Sequence, residues 1–186
     1  MTGKLTTRSF AGLFNLLELA GILTTLFMAF AFQIILNELP CPLCLLQRIG
    51  FLGIAFGFLL NLRFGMRPSH YAIALFSAIY TSFVALRQIA LHVVPGTGSY
   101  GDALLGFHLY TWSFIISMTV VTVTILLMGL DRQYEQATFP HRVSVLVHVL
   151  FSIMVVLTAA NLVAVYMECG LSQCPDNPVH YRIVSR

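Results

Sequence analysis

The chain has 186 residues, of which 58% are apolar and 9% charged, with a formal net charge of +3. Soluble domains average about 25% charged residues, so this composition excludes a water-soluble globule and indicates an integral membrane protein. The charge is too small and scattered for a nucleic-acid surface, and the apolar runs are continuous rather than alternating, which argues against a β-barrel.

Residues 1–10 form a short polar head with Lys4 and Arg8. Residues 11–37 read as a first span. It is too long for a signal-peptide core and no cleavage-like site follows, so it is expected to stay in the mature protein. A tight turn at 39–43 leads to a second span at 44–62, and a connection with Arg63, Arg67 and Pro68 leads to a third at 71–94. A Gly-rich loop, 95–106, carries no Lys or Arg. A fourth span covers 107–130. A polar segment with Arg132 and Arg142 precedes the fifth, 143–167, and residues 168–186 form a polar tail. The expected fold is an all-α membrane protein built as one domain over 1–186, without repeats.

Short loops on the cytoplasmic side of a membrane carry an excess of Lys and Arg. Lys4, Arg8, Arg63, Arg67, Arg132 and Arg142 fall in the head and in two alternate connections. The turn near residue 40 and the Gly-rich loop hold none. The expected orientation is therefore N-terminus cytoplasmic and C-terminus outside, with Arg182 and Arg186 in the tail running mildly against the rule. Both cysteine pairs, Cys41/Cys44 and Cys169/Cys174, then land on one side, the oxidising one where disulfides persist. The charge count made no use of the cysteines.

The stretch Leu39-Pro40-Cys41-Pro42-Leu43-Cys44-Leu45-Leu46-Gln47-Arg48 sits at the mouth of the second span. Pro40 and Pro42 favour an extended turn followed by a first helical turn. Cys44 then lies near free backbone N–H groups, which favour a thiolate. Arg48 follows by four residues on the same helical face, about 6 Å away at the backbone. It is expected to stabilise the thiolate or to polarise the carbonyl of a bound electron acceptor. Cys-x-x-Cys alone also admits a plain disulfide, idle thiols or a metal site, though two sulfurs without nearby histidines make a poor zinc site.

Cys41-Pro42-Leu43-Cys44-Leu45-Leu46-Gln47-Arg48, between the first two spans of a small helical membrane protein, resembles the DsbB family of disulfide-bond-forming membrane oxidoreductases. Arg87-Gln88-Ile89-Ala90-Leu91-His92 and Gly106-Phe107-His108-Leu109-Tyr110-Thr111-Trp112 are similar to it less specifically. The resemblance covers about residues 10–130 and implies a four-helix transmembrane bundle, here with a fifth transmembrane helix added. It implies that Cys44 faces a membrane quinone (ubiquinone or menaquinone) as the thiolate, that Arg48 helps bind it, and that Cys41 exchanges with a second cysteine pair. That pair would oxidise a periplasmic thioredoxin-like, DsbA-like protein at the bacterial inner membrane. In the family the second pair usually lies between the third and fourth spans. Here that loop has no cysteine, and the fifth span delivers Cys169 and Cys174 instead.

The tail pair reads three ways: a shuttle feeding Cys41 and Cys44, a structural disulfide, or a metal site aided by His180 or Glu168. Arg87, in the third span, is expected to face the interior and to add a second positive contact level with Arg48, or else to snorkel or pair with a carboxylate. His92 and His108 lie at the outer end and admit ligation of haem or copper as well as capping, while lone His148 reads as structural. Glu18 is the one carboxylate inside a span, with Asn15 as an expected partner. Trp112 reads as an interface anchor near the quinone level. The expected site is thus Cys41, Cys44, Cys169 and Cys174 for thiol chemistry, with Arg48, Gln47, Arg87, His92 and Trp112 around the quinone. Two other classes stay open: a non-catalytic or copper-handling subunit, and a transporter, the latter disfavoured by the absence of paired broken helices. The same chemistry run outward as a reductase is a further variant.

Overall fold

A computed structural model describes residues 2–36, 38–94, 96, 103–134, 141–174 and 180–183. Side chains are described from residue 10 onward, apart from those of 141–144. Five helices among these residues are long and apolar enough to cross a membrane, which bears out the expected all-α fold. They are α1 (Thr2–Ile35), α2 (Pro42–Phe64), α3 (Pro68–His92), α4 (Leu109–Met128) and α5 (His141–Cys169). The Gly-rich loop, for the most part, and much of the connection before α5 lie outside the described residues.

The helix ends differ from the expected ones for local reasons. Pro42 and Pro68 open α2 and α3, because proline fixes a helical φ and its missing N–H is not needed in the first turn. Both helices therefore begin before the apolar run does. Residues 107–108 do not belong to α4. They form strand β2 (Phe107–His108), antiparallel to β1 (Ala103–Leu104), with Ala103 opposite His108. The intervening Leu105 and Gly106 both have positive φ, 52° and 85°, as a two-residue hairpin turn requires. Trp112 holds this hairpin: its indole N–H donates to the Leu104 carbonyl at 2.9 Å.

Helix α2 is the centre of the bundle, packing on α1, α3 and α5. Its Phe58 and Ile54 join Leu19, Ile22 and Leu26 of α1 and Tyr71 of α3 in the core. Large apolar side chains such as Phe76, Phe83, Leu126 and Leu162 face outward, as lipid contact demands. In a bilayer, helices meet through small residues that let backbones approach. At Gly57 a Cβ would lie 2.7 Å from the Ala74 backbone N and 2.8 Å from the His70 carbonyl oxygen, so α3 rests directly on the α2 backbone there.

At the end of the bundle away from the cysteines, polar side chains close a buried network. Asn61 donates to Asn15 Oδ1 at 2.9 Å and accepts from the Arg67 N–H at 3.1 Å. Asn15 donates to the Ala11 carbonyl and to the Tyr71 hydroxyl, which donates to Gln133. Asn15, expected to partner Glu18, is instead committed to this network, because a fully buried amide in a membrane needs every bond it can make.

Gly57→Ala is expected to lower stability by about 1–3 kcal/mol, since the clash is with backbone that cannot swing aside. Gly21→Ala, with open space around its Cα, should be neutral or mildly stabilising. Denaturant unfolding in mixed micelles compares the two.

Candidate active site

Cys41 caps α2. Its backbone is extended (φ −75°, ψ 158°), and its sulfur accepts the Cys44 N–H at 3.0 Å. The two cysteines form a disulfide with Cα atoms 5.0 Å apart. Cys41 is buried and Cys44 half-buried. The capping bond places the Cys41 sulfur on a free N–H of the helix, where the sequence suggests Cys44, because Cys41 is the N-cap and Cys44 lies inside the first turn.

The closest polar side chain to the disulfide comes from α3. Gln88 is 1% exposed, and its amide Nε2 donates to the Cys41 sulfur at 3.1 Å and reaches the Cys44 sulfur at 3.6 Å. Its oxygen lies 3.9 Å from the Cys44 sulfur and accepts from Gln47 Nε2 at 2.7 Å. Gln47 thus fixes which end of the Gln88 amide faces the sulfurs. An N–H aimed at a sulfur stabilises negative charge there when the S–S bond opens.

Arg48 is buried. Among the described residues its hydrogen bonds run to α1, to Gln33 Oε1 at 2.5 Å and the Ala29 carbonyl at 2.9 Å. Its guanidinium also lies over Phe30, 4.6 Å from the ring centre. Arg48 was expected to act on a Cys44 thiolate; in this disulfide form, one turn of α2 along from Cys44, its long side chain bonds to the carbonyl and amide that α1 offers. From the tail, the Tyr181 hydroxyl accepts from Gln33 at 3.0 Å. Glu168, next to Cys169, is fully buried and interacts electrostatically with Arg48.

The second disulfide, Cys169–Cys174, ends α5, with Cα atoms 4.4 Å apart. Cys169 is 3% exposed and packs in one cluster with Leu45 of α2 and Ala164; Cys174 packs against the same cluster and is half-buried. Leu45 donates its N–H to the Cys41 carbonyl at 3.1 Å. The two disulfides therefore share one end of the bundle and are bridged by the first turn of α2.

Of the residues expected around an acceptor, Gln47 and Arg48 are in place at this end, Arg48 bonded to α1. Arg87 is on the exposed side of α3, so the turn of the helix gives the interior position to its neighbour Gln88. His92 Nδ1 meets the Gln88 carbonyl at 2.8 Å, and its ring stacks on Tyr110. His108 stacks on Tyr110 too. Trp112 is engaged by the hairpin and Phe107 rather than by the sulfurs. His180 is exposed. Gln88 was missed as a site residue: a neutral amide in an apolar helix carries no charge or spacing signal, and its only cue was its place in the 87–92 stretch. At mid-bundle an apolar groove between α1 and α5 is lined by Phe27, Val149, Ile153 and Val156.

A family model for "Disulfide bond formation protein DsbB" matches residues 11–101. No curated protein and no solved structure matches the chain. The matched segment contains α1 but for its start, all of α2 and α3, the Cys41–Cys44 disulfide, Gln47, Arg48 and Gln88. It excludes α4, α5 and the second disulfide.

Gln88→Leu should slow thiol–disulfide exchange at the Cys41–Cys44 pair about tenfold or more, the loss of one hydrogen bond to a charged sulfur being worth about 1.5–3 kcal/mol. Rates of reduction by a small dithiol in detergent measure this. Arg87→Leu, on the exposed side, should leave the rate unchanged.

Proposed function

We propose, from the match of residues 11–101 to the DsbB family model and from the five apolar helices, that this chain is a multi-pass membrane oxidoreductase of disulfide-bond formation and, more narrowly, a thiol:quinone oxidoreductase. It takes electrons from a reduced periplasmic thioredoxin-like protein through Cys169/Cys174 and Cys41/Cys44 and delivers them to a membrane quinone, ubiquinone or menaquinone. The observation that carries this reading is the packing of the Cys169–Cys174 disulfide on Leu45, the residue that follows Cys44 in the first turn of α2.

Burial orders the sulfurs. Cys174 is the more open member of the tail pair, and Cys169 is buried against α2. A partner thiolate attacks the Cys174 sulfur, the Cys169–Cys174 bond breaks, and Cys169 leaves as thiolate. The partner's second thiol then attacks its own sulfur, releasing Cys174 and the oxidised partner. Cys41 is too buried for a soluble protein to reach, but a tail cysteine beside Leu45 is intramolecular. Cys169 attacks Cys41, displacing Cys44 as thiolate beside the Gln88 amide. Cys174 resolves the mixed disulfide and restores the tail pair. Exchange of this kind needs one accessible sulfur and a stabilised leaving sulfur, and each pair has one half-buried sulfur and one buried.

A quinone, when bound, supplies the two-electron acceptor that reoxidises Cys41 and Cys44. Arg48 at this end is a buried cation able to face a carbonyl oxygen, and the mostly apolar groove between Phe27 of α1 and residues 145–157 of α5, farther from the disulfides, would suit an isoprenoid chain. The Lys and Arg bias of the loops supports a cytoplasmic N-terminus and a periplasmic C-terminus in a bacterial inner membrane.

In membranes supplied with quinone and a reduced thioredoxin-like protein, the wild-type chain should reoxidise that protein, and Cys44→Ser should not. Cys44→Ser should also accumulate a disulfide between Cys41 and Cys169, seen as a cross-linked peptide by mass spectrometry. Normal turnover by Cys44→Ser would sink the mechanism, and direct trapping of Cys41 with the soluble protein would reduce the tail pair to a structural disulfide.

A further inference from the structure

Glu168 is the buried ionisable group that the relay above does not use. It is the penultimate residue of α5, next to Cys169. It is 0% exposed, and neither of its carboxylate oxygens meets a hydrogen-bond donor among the described residues. Among the described residues, Glu168 interacts electrostatically with Arg48 from α2, and Arg48 in turn with Tyr181 from the tail. Helix α1 contributes only the neutral Gln33, the Ala29 carbonyl and Phe30. Arg48 is held by those α1 groups, so Glu168 is not consumed in a close ion pair with it.

Buried charge is tolerated when it is compensated nearby. With both disulfides closed, the Arg48 cation and the Glu168 anion balance. Opening Cys41–Cys44 adds a thiolate to the same end of the bundle, and two anions then share one cation. Carboxylate oxygens without donors are open to a proton, and a proton on one of them restores the balance.

We propose that Glu168 takes up a proton when a buried sulfur of the Cys41/Cys44 pair ionises and gives it back when the pair is reoxidised, with Arg48 as the fixed cation that both anions share. A cysteine S–H bond breaks; its electron pair stays on sulfur and its proton goes to a Glu168 oxygen. On reoxidation two electrons would leave the sulfurs for a quinone-class acceptor and the S–S bond would form, the acceptor's two protons coming from Glu168 and from the S–H of the second cysteine. Glu168 is in this sense a proton-holding residue that acts on the sulfurs through Arg48. The proposal rests on the thiol:quinone reading, but it concerns a residue of the fifth helix, outside the matched family segment.

The test is redox-difference infrared spectroscopy of the full chain in lipid nanodiscs, without quinone or partner, before and after reduction of its disulfides. A carbonyl band of a protonated carboxylic acid should appear on reduction. It should be lost in Glu168→Gln and shifted, but still present, in Glu168→Asp. A wild-type spectrum without such a band, or a band that survives Glu168→Gln, overturns the proposal. Should Glu168→Gln fail to fold, Glu168→Asp decides alone: a moved band supports the assignment and an unmoved one overturns it. Because no quinone is present, failure here is separable from failure of quinone-linked turnover.

Discussion

A guanidinium buried in a bundle of apolar helices must find its partners inside the protein, because the surrounding lipid offers none. Arg48 meets that constraint by joining four parts of the chain. Its own helix is α2. Gln33, Ala29 and Phe30 bring in α1, Glu168 brings in α5, and Tyr181 brings in the tail through Gln33. The tail is fastened a second time where the Ile183 N–H meets the Met167 carbonyl. Around this cluster the ends of α2 and α5, each carrying a disulfide, are held together.

The sulfurs face the other way. Gln88, oriented by Gln47, reaches the Cys41–Cys44 disulfide from α3, while Arg48 leans towards α1. The first turns of α2 thus present an amide clamp to one side and a cation to the other. This division has an electrostatic consequence. A neutral donor 3.1 Å from sulfur stabilises a thiolate through a directed bond, whereas a cation held by other partners acts over a longer range. The two effects are independent enough that a thiolate here does not rely on a single contact.

The sequence made the spans, the cysteine pairs and their shared side legible, because each rests on a strong one-dimensional signal: long apolar runs, Cys-x-x-Cys after prolines, and loops with or without Lys and Arg. It singled out Arg48 by its four-residue spacing from Cys44, whereas the side chain bonds to α1, since a long side chain chooses among neighbours that only packing reveals. Arg87 drew attention by charge, while Gln88 beside it faces the sulfurs; the two are separated by one step of helical phase. Gln88 meets Cys41 across 47 positions of sequence, and the Asn15–Asn61–Tyr71 network is equally non-local, so neither follows from spacing. Glu168 was visible in the sequence as a candidate helper of a metal site at the tail cysteines, and its full burial comes from the way the end of α5 lies on α2.

The fifth helix lies outside the matched segment. A cysteine pair in a loop between the third and fourth spans has to travel to reach the N-terminus of α2. A pair at the end of a transmembrane helix does not: α5 packs along α2, and Cys169 is already in the Leu45 cluster. The entropic cost of bringing the thiols together is then met by folding rather than at each exchange. On the proposed reading this limits access, because Cys174 alone of the tail pair remains half-open to a soluble partner. The same helix that positions the second disulfide also inserts Glu168 behind it. Thiol relay and buried carboxylate therefore arrive as one element, and each depends on the contact between α5 and the first turns of α2.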